Sequence, residues 1–98
     1  MNSYIIAPEA MSDLEQIIDY LAMDNVNKGE NFLNEFNKKC RYLTQFPMMG
    51  RSYREIRSYL RSLPMKKHII FYRVLNDGLE IMRVVPANRD LEAIFSDY

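Results

Sequence analysis

The stretch that most constrains the fold runs from Lys67 to Val85. It reads His68-Ile-Ile-Phe-Tyr-Arg-Val-Leu75, then Asn76-Asp77-Gly78, then Leu79-Glu-Ile-Met-Arg-Val-Val85. Runs rich in β-branched and aromatic residues flank a short glycine-containing turn, which is the pattern of a β-hairpin. A lone hairpin is at best marginal in water, so this one needs further strands and a cover for at least one face.

The preceding residues supply both. Tyr4-Ile5-Ile6-Ala7 is a short apolar run ended by Pro8, and predicts a strand at a sheet edge or beside the hairpin. Pro8 suits the first turn of a helix, where its missing N–H has no role. Met11, Leu14, Ile17, Ile18 and Leu21 then form one apolar stripe, predicting a helix over about 8–24. After a break at Asn25-Val26-Asn27, the stripe Phe32, Leu33, Phe36, Cys40, Leu43 and Phe46 predicts a second helix over about 26–46. So short a break implies an antiparallel helical hairpin laid on the sheet. Residues 51–59 have no clear period and read as a loop or a short helical turn. Leu60-Arg-Ser-Leu63 alternates and predicts a strand closed by Pro64. Asp90 can cap a last short helix over Leu91 to Phe95. The order is β-α-α-β-β-β with a short C-terminal helix. It describes one two-layer α+β domain over residues 1–98, an antiparallel sheet with the helical hairpin on one face.

The turn decides which side chains share a face. If Asn76-Asp77-Gly78 is a three-residue loop, Leu75 pairs with Leu79, Arg73 lies opposite Ile81 and Phe71 opposite Arg83. One face then carries Lys67, Ile69, Phe71, Arg73, Ile81, Arg83 and Val85, and the other His68, Ile70, Tyr72, Val74, Met82 and Val84. The second set has no arginine and suits the helices. The first suits a partner, and only the C-terminal tail is left to cover it. A two-residue turn would shift the pairing by one and send the arginines to opposite faces.

Composition narrows the chemistry. No run approaches the length of a membrane span, and the N-terminus has neither a basic leader nor a long apolar core. One cysteine cannot form an internal disulfide, so the expected location is the cytoplasm. The net charge is zero, which argues against strong direct nucleic-acid binding. The charge is nonetheless uneven. Arg51, Arg54, Arg57, Arg61, Lys66, Lys67 and Arg73 face a single acid, Glu55, within their stretch, which suggests an acidic partner. No phosphate loop, dinucleotide fingerprint, metalloprotease motif or nucleophile elbow is present. One Cys and one His do not make a usual metal site, and no cofactor is expected. Cys40 lies on an apolar stripe and reads as a core residue, and His68 as a structural one. The seven tyrosines read as packing and hydrogen-bonding residues. A metal-free ribonuclease could be assembled from Lys66, Lys67, Arg83, Arg89 and Tyr98, with cations stabilising phosphorane charge and a lysine or tyrosine moving a proton.

Several short motifs occur in a particular order. They are Ile6-Ala7-Pro8-Glu9-Ala10, Asp13-Leu14, Ile17-Ile18-Asp19-Tyr20, Phe46-Pro47, Gly50-Arg51, Leu60-Arg-Ser-Leu-Pro64, His68 to Val74, Asp77-Gly78, Ile81 to Val85 and Arg89-Asp90. In this order they resemble the RelE/ParE toxin superfamily, and within it the ParE-like branch. The resemblance implies a toxin of a bacterial type II toxin–antitoxin pair, of the kind associated with plasmid stabilisation. It implies neutralisation by a cognate, ParD-like antitoxin and DNA gyrase as the target. On that reading Ile69, Phe71, Arg73, Ile81, Arg83, Val85 and Arg89 form the antitoxin- or target-binding surface, and the chain is not an enzyme. The RelE-like alternative is a ribosome-dependent mRNA endoribonuclease. It resembles a strongly basic protein with an arginine early in the third strand, whereas His68-Ile69-Ile70-Phe71 offers none. ParE-like chains often carry His-Gly after the fourth strand. Pro86-Ala87 stands here instead, which makes an inactive binding relative a third reading.

Overall fold

Pro8 opens a helix at its first position, preceded by an extended Ala7. In the computed structural model, which describes residues 3–96, that helix is α1, Pro8–Asp24. It follows strand β1, Ser3–Ile6, and precedes α2, Val26–Gln45. Asn25 alone separates the two helices. Its N–H donates to the Leu21 carbonyl and closes α1, while its side-chain oxygen accepts from Asn27 N–H at 2.8 Å and caps α2. The rest of the chain forms β2 (Arg51–Ser52), β3 (Arg61–Met65), β4 (His68–Leu75), β5 (Gly78–Pro86) and α3 (Leu91–Ile94).

The strands make one five-stranded sheet in the order β1-β5-β4-β3-β2. β2 is an extra strand of two residues at the far edge, too short to show a period in the sequence. β1 pairs in parallel with β5, so the sheet is mixed, with β2 to β5 antiparallel. Pro64 lies inside β3, but beyond the two residues that β2 pairs, where it interrupts no ladder on that edge.

The hairpin register differs from the three-residue expectation. Leu75 pairs with Gly78, so the loop is Asn76-Asp77 alone, and Arg73 stands opposite Glu80 rather than Ile81. A bulge then restores the expected pairing: Tyr72 lies opposite Ile81, yet Phe71 lies opposite Arg83. Two residues of β5 span one step of β4, and alternation breaks there. Ile81 and Val84, three apart, both pack in the cluster under the helices, while Met82 joins the cluster on the other face. Strict alternation had exchanged Ile81 and Met82. Gly78 is required at the turn exit. Its φ is +155°, and a Cβ there would lie 2.0 Å from the Ser3 carbonyl oxygen of the neighbouring strand.

The main core lies between sheet and helices, around Leu14, Phe36, Cys40, Leu43, Ile70, Tyr72, Ile81 and Val84. The other face is also closed. Leu60, Phe71, Met82, Val85 and Phe95 form a second buried cluster, flanked by Tyr53, Ile56, Ile69, Leu91 and Ile94. The 53–60 segment and α3 therefore cover the face that the sequence had left for a partner. Phe71 meets Tyr53 and Phe95 edge-on at 5.6 and 5.0 Å between ring centroids. Arg57 ties the two covers together by donating to the carbonyls of Ile56 and Phe95. Asp90 accepts from Glu92 and Ala93 N–H and starts α3 as its sequence suggested.

Tyr72 anchors the segment after α2. Its hydroxyl donates to the Pro47 carbonyl at 2.7 Å and accepts from Gly50 N–H at 3.0 Å. Burial pushes this phenol's pKa up from the usual tyrosine value. A Cβ at Gly50 would lie 2.4 Å from the same oxygen. Tyr72→Phe leaves both backbone groups without this partner and should cost about 1–3 kcal/mol. Urea unfolding should show a lower midpoint at unchanged slope; an unchanged midpoint would mean that the anchor contributes nothing.

Candidate functional site

The seven residues expected to form a binding surface are not gathered on one exposed face. Phe71 and Val85 are buried beneath α3 and the 53–60 segment, and Ile81 is buried beneath the helices. Ile69 is half-buried at the margin of the second cluster. A sequence reading misses this because the covers are short and irregular, and their apolar residues have no strand or long-helix period.

The arginines separate as well. Arg73 pairs with Glu80, its cross-strand neighbour, at 2.7 Å, and its guanidinium lies 5.6 Å from the centre of the Tyr59 ring. Arg83 does not join it. Its guanidinium grips Asp13 of α1 through two hydrogen bonds, Nε to Oδ2 at 2.7 Å and Nη2 to Oδ1 at 3.0 Å. The same carboxylate accepts from Val84 N–H at 2.9 Å. Asp13 lies off the apolar stripe of α1, and Arg83 was expected at a partner surface. Together they instead form the joint between α1 and β5. Arg89 lies at the opposite end of the sheet from Arg73. Its loop returns beside the β3–β4 turn, where Ala87 N–H donates to the Lys67 carbonyl at 2.9 Å. From Lys67 to Arg73, six residues of strand put about 20 Å between the two ends.

The ribonuclease set is likewise only partly gathered. Lys66, Lys67 and Arg89 share the β3–β4 end of the sheet, Arg83 is engaged by Asp13, and Tyr98 lies outside the described residues. His68, at the same end, stacks on Phe32 at 5.2 Å between ring centroids, and burial holds its pKa below the usual histidine value. Among the described residues no group of three or more His, Cys, Asp or Glu side chains could hold a metal ion. No helix among them is long and apolar enough to cross a membrane.

Two surface features were not foreseen. Met11, Leu33 and Phe46 were placed on buried stripes, but they stand 44%, 39% and 51% exposed. The stripes are wider than the strip of sheet that the helices cover. Phe46 meets Tyr42 edge-on at 5.3 Å, next to exposed Met48 and Met49. The second feature is a cavity of about 340 Å³ where the end of α1, the start of α2 and the β3–β4 turn meet. Leu21, Phe32 and Met65 line it, with Lys28, Lys66, Lys67 and His68 around them. Its parts come from three separated segments, so no single stretch of sequence announces it.

A helical hairpin on a mixed five-stranded sheet, closed by a short C-terminal helix, has a counterpart among solved structures. The solved structure described as the chromosomal ParDE TA system from P. aeruginosa superposes with a TM-score of 0.72 at 20% identity, over 88% of this chain and 96% of that one. Residues 4–91 match the family model described as the ParE toxin of the type II toxin–antitoxin system parDE, and the chain belongs to that family. Toxin ParE1 of Mycobacterium tuberculosis, in strains CDC 1551 and H37Rv, is 32% identical over 94 residues, covering 93% of this chain and 95% of its own length.

Two outcomes test these assignments. Asp13→Asn removes the counter-charge from Arg83 at a site where both side chains are mostly buried. It should cost about 2 kcal/mol and lower the thermal midpoint by about 10 °C. A midpoint equal to wild type would show that the joint is dispensable. Burial pushes the Cys40 thiol up to about 12, and its side chain is fully enclosed. Iodoacetamide should therefore leave the folded protein unmodified at neutral pH and alkylate it in denaturant. Rapid labelling of the folded chain would contradict the enclosed thiol.

Proposed function

We propose that this chain is the growth-arresting toxin of a type II toxin–antitoxin pair, acting in the cytoplasm by binding DNA gyrase and neutralised by a ParD-like antitoxin encoded beside it. The observation that carries this reading is the family match over residues 4–91, supported by 32% identity to a protein named Toxin ParE1. Residue placement favours contact inhibition over RNA cleavage. β4 begins His68-Ile69-Ile70-Phe71 without an arginine, and Arg83 serves the joint with Asp13. Arg73, held over Tyr59, and the exposed Arg89 stay at the surface and are the remaining arginines of the original set for a partner to meet.

Purified protein should inhibit supercoiling by DNA gyrase in vitro, and the product of the adjacent antitoxin frame should relieve it. Induction in cells should arrest growth. Arrest with unaltered supercoiling, accompanied by primer-extension cuts within codons of translated mRNA, would replace this reading with the ribonuclease one. Induction without arrest in a host whose gyrase is a fair target would favour the inactive binding relative.

A further inference from the structure

His68 is the one histidine of the chain, and it sits where three segments meet. It opens β4, pairing with Met65 of β3 on one side and with Pro86 of β5 on the other. Lys66 and Lys67 form the turn just before it, and the Lys67 carbonyl accepts from Ala87 N–H at 2.9 Å, so the exit of β5 is tied to the same turn. The imidazole reaches α2 and stacks on Phe32 with 5.2 Å between ring centroids. Beside this stack lies the cavity of about 340 Å³, which both rings line together with Leu21 and Met65. Further along, the main core fills the space between helices and sheet; at this end a pair of rings spans it.

The surroundings give a charged imidazole little support. Neither ring nitrogen has a hydrogen-bond partner among the described residues. From α1 the cavity receives apolar Leu21, and from α2 it receives Lys28, Asn31 and Glu35 beside Phe32. The turn adds Lys66 and Lys67, β5 faces the histidine with Pro86, and the following loop brings Arg89 to the same end. The two acids nearby each have a cation already: Asp24, at the end of α1, pairs with Lys28, and Glu35 lies 3.9 Å from Lys39. Burial against this lining favours the uncharged ring and holds its pKa below the ordinary histidine value. The unfolded chain therefore takes the proton more readily than the folded one. The stability contributed by the neutral ring is fully present above about pH 6.5 and is lost as pH falls below it.

We propose that the His68–Phe32 stack is an acid-sensitive latch: in mild acid the imidazole takes a proton, leaves the apolar lining for water, and releases the lysine turn from α2. The cavity gives the ring a short way out, because it opens to solvent beside the stack and the exposed lysines already hold water there. The joint between Asp13 and Arg83 lies elsewhere on the sheet and its partners stay charged in this range, so the loosening is confined to the β3–β4 end. The device belongs to the free chain and does not depend on which partner it meets.

Proton NMR on the untagged full chain reads the ring directly, since a single histidine gives a single imidazole Cε1–H resonance. Its titration midpoint should lie lower in the folded chain than in the same chain held unfolded in concentrated urea. The resonances of Phe32 and Met65 should move with the folded midpoint, while those of Asp13 and Val84 stay in place. Between about pH 7 and about pH 5.5, histidine is the side chain that passes its ordinary pKa. Over that range the thermal midpoint of the wild type should fall by about 2–4 °C. His68→Phe keeps an aromatic ring on Phe32 and cannot titrate, so it should lose this fall; His68→Gln, smaller and also unable to titrate, gives the same reading if the phenyl ring does not fit. A folded midpoint at or above the urea value would overturn the latch. So would a variant whose melting falls with acid as far as the wild type's. Titration of His68 with the Phe32 and Met65 resonances unmoved would show a ring that takes its proton in place, and would overturn the release.

Discussion

The Asp13 carboxylate carries three hydrogen bonds, two to the Arg83 guanidinium and one to Val84 N–H. The last matters most to the backbone. β1 pairs with β5 only as far as Ile81, and Ala7 N–H takes the Ile81 carbonyl as the chain leaves for α1. Beyond that point no strand among the described residues lies along this edge of β5. An unpaired backbone donor under a helix is costly, and Asp13 supplies the acceptor. One side chain thus completes a strand edge, neutralises a mostly buried guanidinium and ties α1 to β5. The bulge in β5 lies beside this joint. It falls between Ile81 and Arg83, so that Arg83 and Val84, next to each other in β5, both reach the Asp13 carboxylate.

With both faces closed, the sheet has no broad apolar surface to offer in the free chain. What stays at the surface lies at the ends and on the helices: Arg73 over Tyr59, the Tyr42–Phe46 pair with its neighbouring methionines, and the lysine turn above the apolar cavity. Each combines aromatic or apolar area with a cation or stands near one. The exposed aromatic, apolar and cationic groups on this scaffold are accordingly spread over separated places.

Much of the fold could be read directly from the residues. Pro8 and the caps at Asn25 and Asp90 act within a turn of their own positions, so α1, α2 and α3 begin where local chemistry places them. The helix-facing set of β4 was also legible, because Ile70 and Tyr72 alternate without interruption. The candidate surface was much less so. A two-residue turn and a compensating bulge leave Phe71 opposite Arg83 while exchanging Ile81 and Met82, and no local rule selects that pair of irregularities. The covers over Phe71 are similarly hidden, since a loop and a one-turn helix acquire their burial only from what they lie on.

The sequence by itself determined the family, the order of elements apart from β2, the helix boundaries and the uneven distribution of charge. These depend on interactions within a few residues, or on motif order along the chain. Tertiary structure decided which apolar residues are core and which are surface, and it assigned Arg83 to a structural ion pair. It also turned the hairpin's presumed binding face into a second core and placed Lys66 and Lys67 at the mouth of a cavity. Those outcomes depend on contacts such as Asp13 with Arg83, seventy residues apart, whose energies exist only once the chain has closed.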